Sequence, residues 1–548
     1  MAAKALASGN LGRSVGGARL ASPGVGLAMD AADRRHHHSP PVAARGGFLR
    51  RWFAGNALVS GLFALAWLLL RSGPRPSRLA YPCQQAALTT ATLALGAPVV
   101  SALLALRAAL VSGLRSPAGL LGLAAAGLAA GLGSWGYLET AEARRLPPPL
   151  AVETPAGYRA EVFHVAGCPA DPQGDRFPCV DALLPWMGQH GLKFYRSPVV
   201  TEVSGPDGIV AADDVVVVKI NYQWSERGGT NTDLLSGLVR AIVDHPDGFV
   251  GEVVVAENAQ FAATENFDRP ENNAQDISQS PHDVVVHFQE LGAPVSHTDW
   301  TLLRGTEVDE YSEGDDDDGY VVYPFDPEVG GAVSYPKFQT AAGTRVSLRD
   351  GIWDPVGESY DRERLELVNV PVLKSHHAVY GVTAAVKNNM GVVTTLLGTN
   401  SHAAVADGIL GELLAEIRPA ALNLVDAIWV NGNPFSGPST PYGVATRRDE
   451  LVASVDPVAV DIWAVRNILV PTFLANGYEP PWPYPSADPD DPASAFRVYL
   501  DNSMARLLAA GYEVTNDPAF IDAYSLEFPL FADGFESGDT GAWSRTVP

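Results

Sequence analysis

The sequence predicts an α/β protein, with a largely parallel sheet flanked by helices and preceded by about three transmembrane helices. Three observations predict this. The stretch around 214–220, AADDVVVVKINYQW, is a continuous β-branched run, the pattern of a strand buried on both faces. TNTDLLSGLVRAIVDH follows, with Leu234, Leu235, Leu238, Ile242 and Val243 on one helical face, and then GEVVVAEN forms a second buried strand. Strand, helix and strand in that order call for a right-handed parallel crossover. Before Pro147, by contrast, the chain is dominated by Ala/Leu/Gly-rich stretches.

Those stretches are 52–70, 86–106 and 117–137, and each approaches the length needed to cross the hydrocarbon core. The third is rich in Gly and Ala, which suits close helix packing in lipid. Arg34, Arg35, Arg45, Arg50 and Arg51 precede the first stretch and favour a cytoplasmic N-terminus, although Arg71, Arg75 and Arg78 in the next loop count against it. Three spans then place the large domain outside the cytoplasm. The expected organisation is a leader at 1–51, the membrane region at 52–137, an α/β domain at 138–530 and a polar tail at 531–548.

Within the domain, Thr232 is the expected N-cap of the first helix. PHDVVVHFQELGA reads as a helix with Pro281 near its start, and 300–350 reads as irregular and polar. EGDDDDG lacks the alternating spacing of a calcium loop, so Asp315 to Asp318 read as a solvated loop. LELVNVPVLK, 365–374, reads as one strand. A helix over 402–416, the strand LNLVDAIWV and a helix from about Asp456 follow. Past about 470 the chain is rich in Pro and aromatics and ends in a short helix and the tail.

Composition excludes some functions. Hydrophobic residues make up 47% and charged residues 18%, too little charge for a disordered chain. The net charge of −24 excludes a nucleic-acid partner, which would need a basic surface. Cys168 and Cys179 are either two unrelated thiols or a disulfide. The short loop between them favours the disulfide, worth roughly 3 kcal/mol in an oxidising compartment. No CxxC pair suggests zinc or an iron–sulfur cluster.

Polar and charged residues recur where the expected strands end: Lys219 and Asn221, Glu257 and Asn258, Lys374 with His376 and His377, and Asp426. Ligands of open parallel sheets sit at the carboxyl ends of strands, so these groups are expected to share one pocket. Lysines suit a phosphate or carboxylate, and GGTNT before a helix offers further N–H donors. His376 and His402, with Asp426 or Asp456, could ligate a metal ion, or could be core histidines and helix caps.

VVVVKIN, TNTDLLSGLVRAI, VPVLKSHHAVYGVTAAVKNNMGVV, NLVDAIWVNGNPFSGP and SVDPVAVDIWAV, spread over 215–470, resemble the successive blocks of the DUF362 family, of which the segment ending VKNNMG is the most specific. The resemblance implies Lys219, Asn221, Thr230, Lys374, His376, Lys387, Asn388, Gly391, His402, Asp426 and Asp456 as family positions. It names no reaction. Some relatives carry a ferredoxin-like cysteine cluster; this chain has none, so no iron–sulfur cofactor is expected.

The expected function is a membrane-anchored extracytoplasmic enzyme or cofactor-binding protein acting on an anionic small molecule, with the bilayer as its other partner. Lys219, His376, Lys387 and Asp426 are the expected catalytic groups. Asn221, Thr230, Lys374, Asn388 and Asp456 are the expected ligand-binding groups. The alternatives are a non-catalytic envelope binding protein and a subunit of a membrane assembly.

Overall fold

The computed structural model describes residues 146–528, apart from 170, 171, 173, 261–266, 268, 270, 377–379, 481 and 483–486. The leader, the three expected spans, His377 and the C-terminal tail lie outside the described residues. The chain divides into two units, Met1–Trp135 and Gly136–Pro548, and everything described belongs to the second.

The main sheet has ten strands. They are β1 (Ala160–Ala166), β2 (Val215–Lys219), β3 (Glu252–Glu257), β4 (Val295–Asp299), β5 (Leu365–Asn369), β6 (Val372–His376), β7 (Gly381–Thr383), β8 (Leu422–Asn431), β9 (Ala445–Ser454) and β10 (Ile521–Glu527). The order across the sheet is β10-β1-β9-β8-β5-β2-β3-β4, with β6 beside the far half of β8 and β7 beside β6. The run β8-β5-β2-β3-β4 is parallel, whereas β9 is antiparallel to both neighbours. The sheet is therefore mixed.

Alternation places successive side chains of β2 in different cores. Val215 and Val217 join one apolar cluster, and Val216 and Val218 join the other. Helices cover both faces. Helices α1 (Pro178–Gln189), α2 (Thr232–Val243) and α3 (Pro281–Glu290) bury apolar residues in the Val216 cluster. A short turn of helix, α4 (Ala385–Asn388), together with α5 (Ile409–Glu416), α6 (Pro457–Ala464) and α7 (Ala495–Ala509), does so in the Val215 cluster. Among the described residues one helical run, Pro457–Ala475, is long and apolar enough to cross a membrane, and it is mostly buried within the fold.

Several expectations are corrected. The N-cap of α2 is Asn231, whose side chain accepts from the amides of Asp233 and Leu234; Thr232 is the first helical residue. The segment 300–350 is not irregular throughout. Gly319–Val322, Ser334–Gln339, Arg345–Ser347, Gly351–Asp354 and Ser359–Asp361 form a separate five-stranded antiparallel sheet. The acidic run staples that sheet: Asp315 Oδ2 accepts from the buried Lys337 Nζ at 2.6 Å, and Asp316 pairs with Arg345. The expected strand 365–374 is two strands, because Pro371 has no N–H to donate to the ladder. The expected helix over 402–416 begins only at Ile409, after a 3₁₀ turn at Val405–Asp407 and Gly408 in the left-handed region. The closing helix is 15 residues long, and β10 then pairs in parallel with β1.

Cys168 and Cys179 form a disulfide with Cα atoms 5.5 Å apart, tying the end of β1 to the start of α1.

Candidate functional site

The parallel strands end side by side. Asn369 at the end of β5 lies beside Lys219 at the end of β2, which lies beside Ala256, one residue before Glu257 on β3. Pro371 restarts the next strand, and β6 carries Lys374 and His376 past this line. The chain then turns back through β7 into α4, which carries Lys387 and Asn388. The start of α4 is held from α6: Asp461 accepts from the amides of Ala385 at 2.6 Å and Val386 at 3.0 Å. A cavity of about 300 Å³ lies where these segments meet. Asn221, Glu257, Lys374, His376, Lys387, Asn388 and His402 line it, with Gln223, Trp224, Gln260 and Met390.

The three lysines here differ in their bonding. Lys219 Nζ stands 2.7 Å from Glu257 Oε2 and donates to Asn388 O at 2.5 Å. Lys374 Nζ donates to Asn221 Oδ1 at 3.0 Å and to Gly228 O at 2.5 Å. Lys387 Nζ has no oxygen acceptor among the described residues; it stands 4.7 Å from the centre of the Tyr380 ring. Burial pushes Lys374 down to about 7, against the attraction of Glu257. Burial and then Lys219 push Lys387 down to about 7. Burial lifts the Glu257 carboxyl to about 7, opposed by Lys219.

The histidines are held neutral. His376 Nδ1 bonds Thr383 Oγ1 at 2.8 Å, and burial, then Lys387 and Lys374, hold its ring well below the ordinary histidine range. Burial and Lys387 push His402 down to about 4. Amides link the lysines to the sheet. Lys374 donates to Asn221, whose Nδ2 donates to Asn388 Oδ1 at 2.8 Å; Asn388 Nδ2 donates to Asn369 Oδ1 at 2.8 Å, and Asn369 Nδ2 to Asn423 Oδ1 at 2.9 Å.

Of the expected site residues, the cavity gathers Asn221, Lys374, His376, Lys387, Asn388 and His402. Lys219 lies just behind its wall: a Cβ on Gly391 would come within 2.6 Å of Glu257 Oε2 and would overlap Lys219 Nζ. Three others lie outside the lining and serve the backbone. Asp426 Oδ2 accepts from the amide of Asn231 at 2.8 Å, and Oδ1 from Ile428 at 3.0 Å. Thr230 Oγ1 donates to Val370 O and accepts from Asn221 N, each at 2.8 Å. Asp456 caps α6 and also accepts from Thr515 N at 2.9 Å.

Four of the five GGTNT amides are committed as well, Gly228 N to Ser225 O, Thr230 N to Asn221 O, Asn231 N to Asp426 and Thr232 N to Asn273 O, so those four are not free for an anion. His376 and His402 share the cavity with two lysines, an unfavourable setting for a cation. Among the described residues no group of three or more His, Cys, Asp or Glu side chains is arranged to hold a metal ion.

Sequence reasoning passed over Asn369 and Asn423, which look like ordinary polar interruptions of strands. It also passed over a stronger signal. Only six of the chain's 38 Lys and Arg residues are lysines, and three of those six, Lys219, Lys374 and Lys387, meet here.

Comparison with curated proteins and with solved structures finds no match. The resemblance read over 215–470 corresponds to a family match over a shorter stretch, the one that supplies Lys374, His376, Lys387, Asn388 and His402. Residues 365–466 match the family described as Domain of unknown function (DUF362).

Proposed function

We propose that this chain is a membrane-anchored protein whose extracytoplasmic α/β domain binds a small anionic molecule in the cavity at the strand ends, as an enzyme or cofactor-binding protein. One observation carries the reading. Three of six lysines meet at a cavity whose only lining carboxylate among the described residues, Glu257, is already paired with Lys219. Among the described residues Lys374 and Lys387 are left without a counterion, and an anion that enters supplies it. Lys374 has used two of its three N–H donors, which leaves one for the ligand.

The same groups suit proton transfer. His376 is neutral, its Nδ1 is fixed by Thr383, and its Nε2 makes no hydrogen bond among the described residues. It can therefore accept a proton from a bound ligand. Membrane anchoring rests on the apolar stretches at 52–70, 86–106 and 117–137. The extracytoplasmic side rests on the arginines before the first stretch and on the Cys168–Cys179 disulfide, which persists only where the surroundings are oxidising.

The test is thermal unfolding of the full-length protein in mild detergent with acetate, oxalate or inorganic phosphate, against chloride at matched ionic strength. At least one of the oxyanions raises the unfolding temperature of the wild type, and Lys374→Gln loses that shift. Equal behaviour in all four salts overturns the reading.

A further inference from the structure

We propose that Lys387 is a nucleophile that captures the carbonyl carbon of a small carbonyl-bearing carboxylate as an imine, with Lys374 holding the carboxylate. This deepens the anion-binding reading and rests on it.

The bonding of the three lysines separates their roles. Burial lowers all three, but Lys219 and Lys374 each have fixed oxygen partners that hold the Nζ in place and count toward the ammonium form. Lys387 lines the same cavity without an oxygen acceptor among the described residues, its Nζ over the face of Tyr380, so no hydrogen bond there holds its third proton. A desolvated amine next to other cations is the setting in which lysine becomes nucleophilic. Burial and Lys219 push its pKa down to about 7, which at neutral pH leaves roughly a thousandfold more free amine than on an exposed lysine.

Residue choice points the same way. Basic residues of this chain are overwhelmingly arginine, and a guanidinium would serve better if only a fixed positive charge were needed. What lysine has and arginine lacks is an amine that can lose a proton and form a carbon–nitrogen double bond. The cavity, about 300 Å³, suits a compact ligand, and Lys374 beside Lys387 suits a carboxylate next to the carbonyl, as in a 2-oxo acid.

The step balances without an oxidant or reductant. The Lys387 amine adds to the carbonyl carbon, and the C=O π pair moves to oxygen. His376 takes a proton from the adding nitrogen and returns it to the departing oxygen. Loss of water from the carbinolamine completes the reaction: the carbonyl compound and the amine become the imine and one water.

The experiment incubates the full-length protein in mild detergent with pyruvate or glyoxylate and cyanoborohydride, followed by intact-mass and peptide-mapping mass spectrometry. Few lysines compete: Lys4, Lys193 and Lys337 are the others, and Lys337 is buried. A single reduced adduct maps to Lys387. Lys387→Arg abolishes it, and Lys374→Gln slows it about tenfold, the loss of one charge-assisted hydrogen bond. Labelling of Lys193 or the N-terminus at the same rate as Lys387, or unchanged labelling of Lys387→Arg, overturns the proposal. Acetate, which cannot form an imine, separates the two readings. Thermal stabilisation by acetate with no adduct at Lys387 sinks the imine and leaves anion binding standing, whereas absence of both sinks the two together.

Discussion

Lys219 and Glu257 meet at the ends of neighbouring parallel strands, Nζ 2.7 Å from Oε2, both buried. Through Asn388 O the same ammonium also grips α4. Above about pH 8, where the Glu257 carboxyl is ionised, Glu257→Gln leaves that ammonium buried without its counterion, which costs about 3 kcal/mol. Urea unfolding of the full-length protein measures it. Adding Lys219→Met to Glu257→Gln removes the stranded charge, so the double variant is more stable than Glu257→Gln alone.

Gly391 leaves no room for a side chain. A methyl group there would overlap Lys219 Nζ and crowd Glu257 Oε2, and burial prevents either from swinging into water. Gly391→Ala lowers stability by about 1–3 kcal/mol and weakens anion binding. Thermal unfolding with and without the stabilising anion reads both effects. An alanine variant that matches wild type in both would contradict the packing described.

Asp461 acts on the site through α4 and touches no ligand. Burial pushes its carboxyl up, opposed by the amides of Val386 and Ala385. Asp461→Ala strands both amides, at a cost of about 1–3 kcal/mol each. Lys387 loses its fixed position, so imine trapping slows. Asp461→Asn still offers one oxygen and recovers part of both properties. Equal trapping rates in Asp461→Ala and wild type would remove the positioning role.

Acidity acts on the empty site in two opposing ways. Glu257 titrates near 7 in the fold and near about 4.3 when unfolded, so its contribution to stability is lost as pH rises between those values. Lys374 and Lys387 titrate near 7 in the fold and near about 10.4 when unfolded, so the unfolded chain holds more protons above 7 and stability climbs again. These three groups together give a minimum near neutrality. Acetate binding needs charged lysines and weakens between pH 7 and 9. Unfolding temperatures measured across pH, with and without acetate, check both signs; acetate stabilisation that grows with pH would contradict them.

Much of this was legible in the sequence. Uninterrupted β-branched runs gave away β2 and β3, and the rule that ligands gather at strand carboxyl ends pointed to Lys219, Lys374 and His376 together. The separate sheet over 319–361 was hidden because its strands are three to six residues long and break up with Asp and Gly. Their pairing depends on tertiary contacts that periodicity does not register. Asp426, Asp456 and Thr230 were read for their chemistry, and each lies outside the cavity lining and bonds backbone groups; composition alone does not separate a cap from a catalyst. β10 escaped notice because an edge strand with alternating half-exposed residues resembles a polar tail.

The amides that run from Lys374 to Asn423 all point one way, since lysine can only donate and each oxygen therefore faces back toward it. Their negative ends add up at the ammonium. The protein thus solvates this cation with oriented dipoles that neither titrate nor detach. A carboxylate in their place would have competed with an incoming anion for the same charge. With neutral amides, the attraction remains unspent until the guest arrives, and no internal bond has to break to admit it.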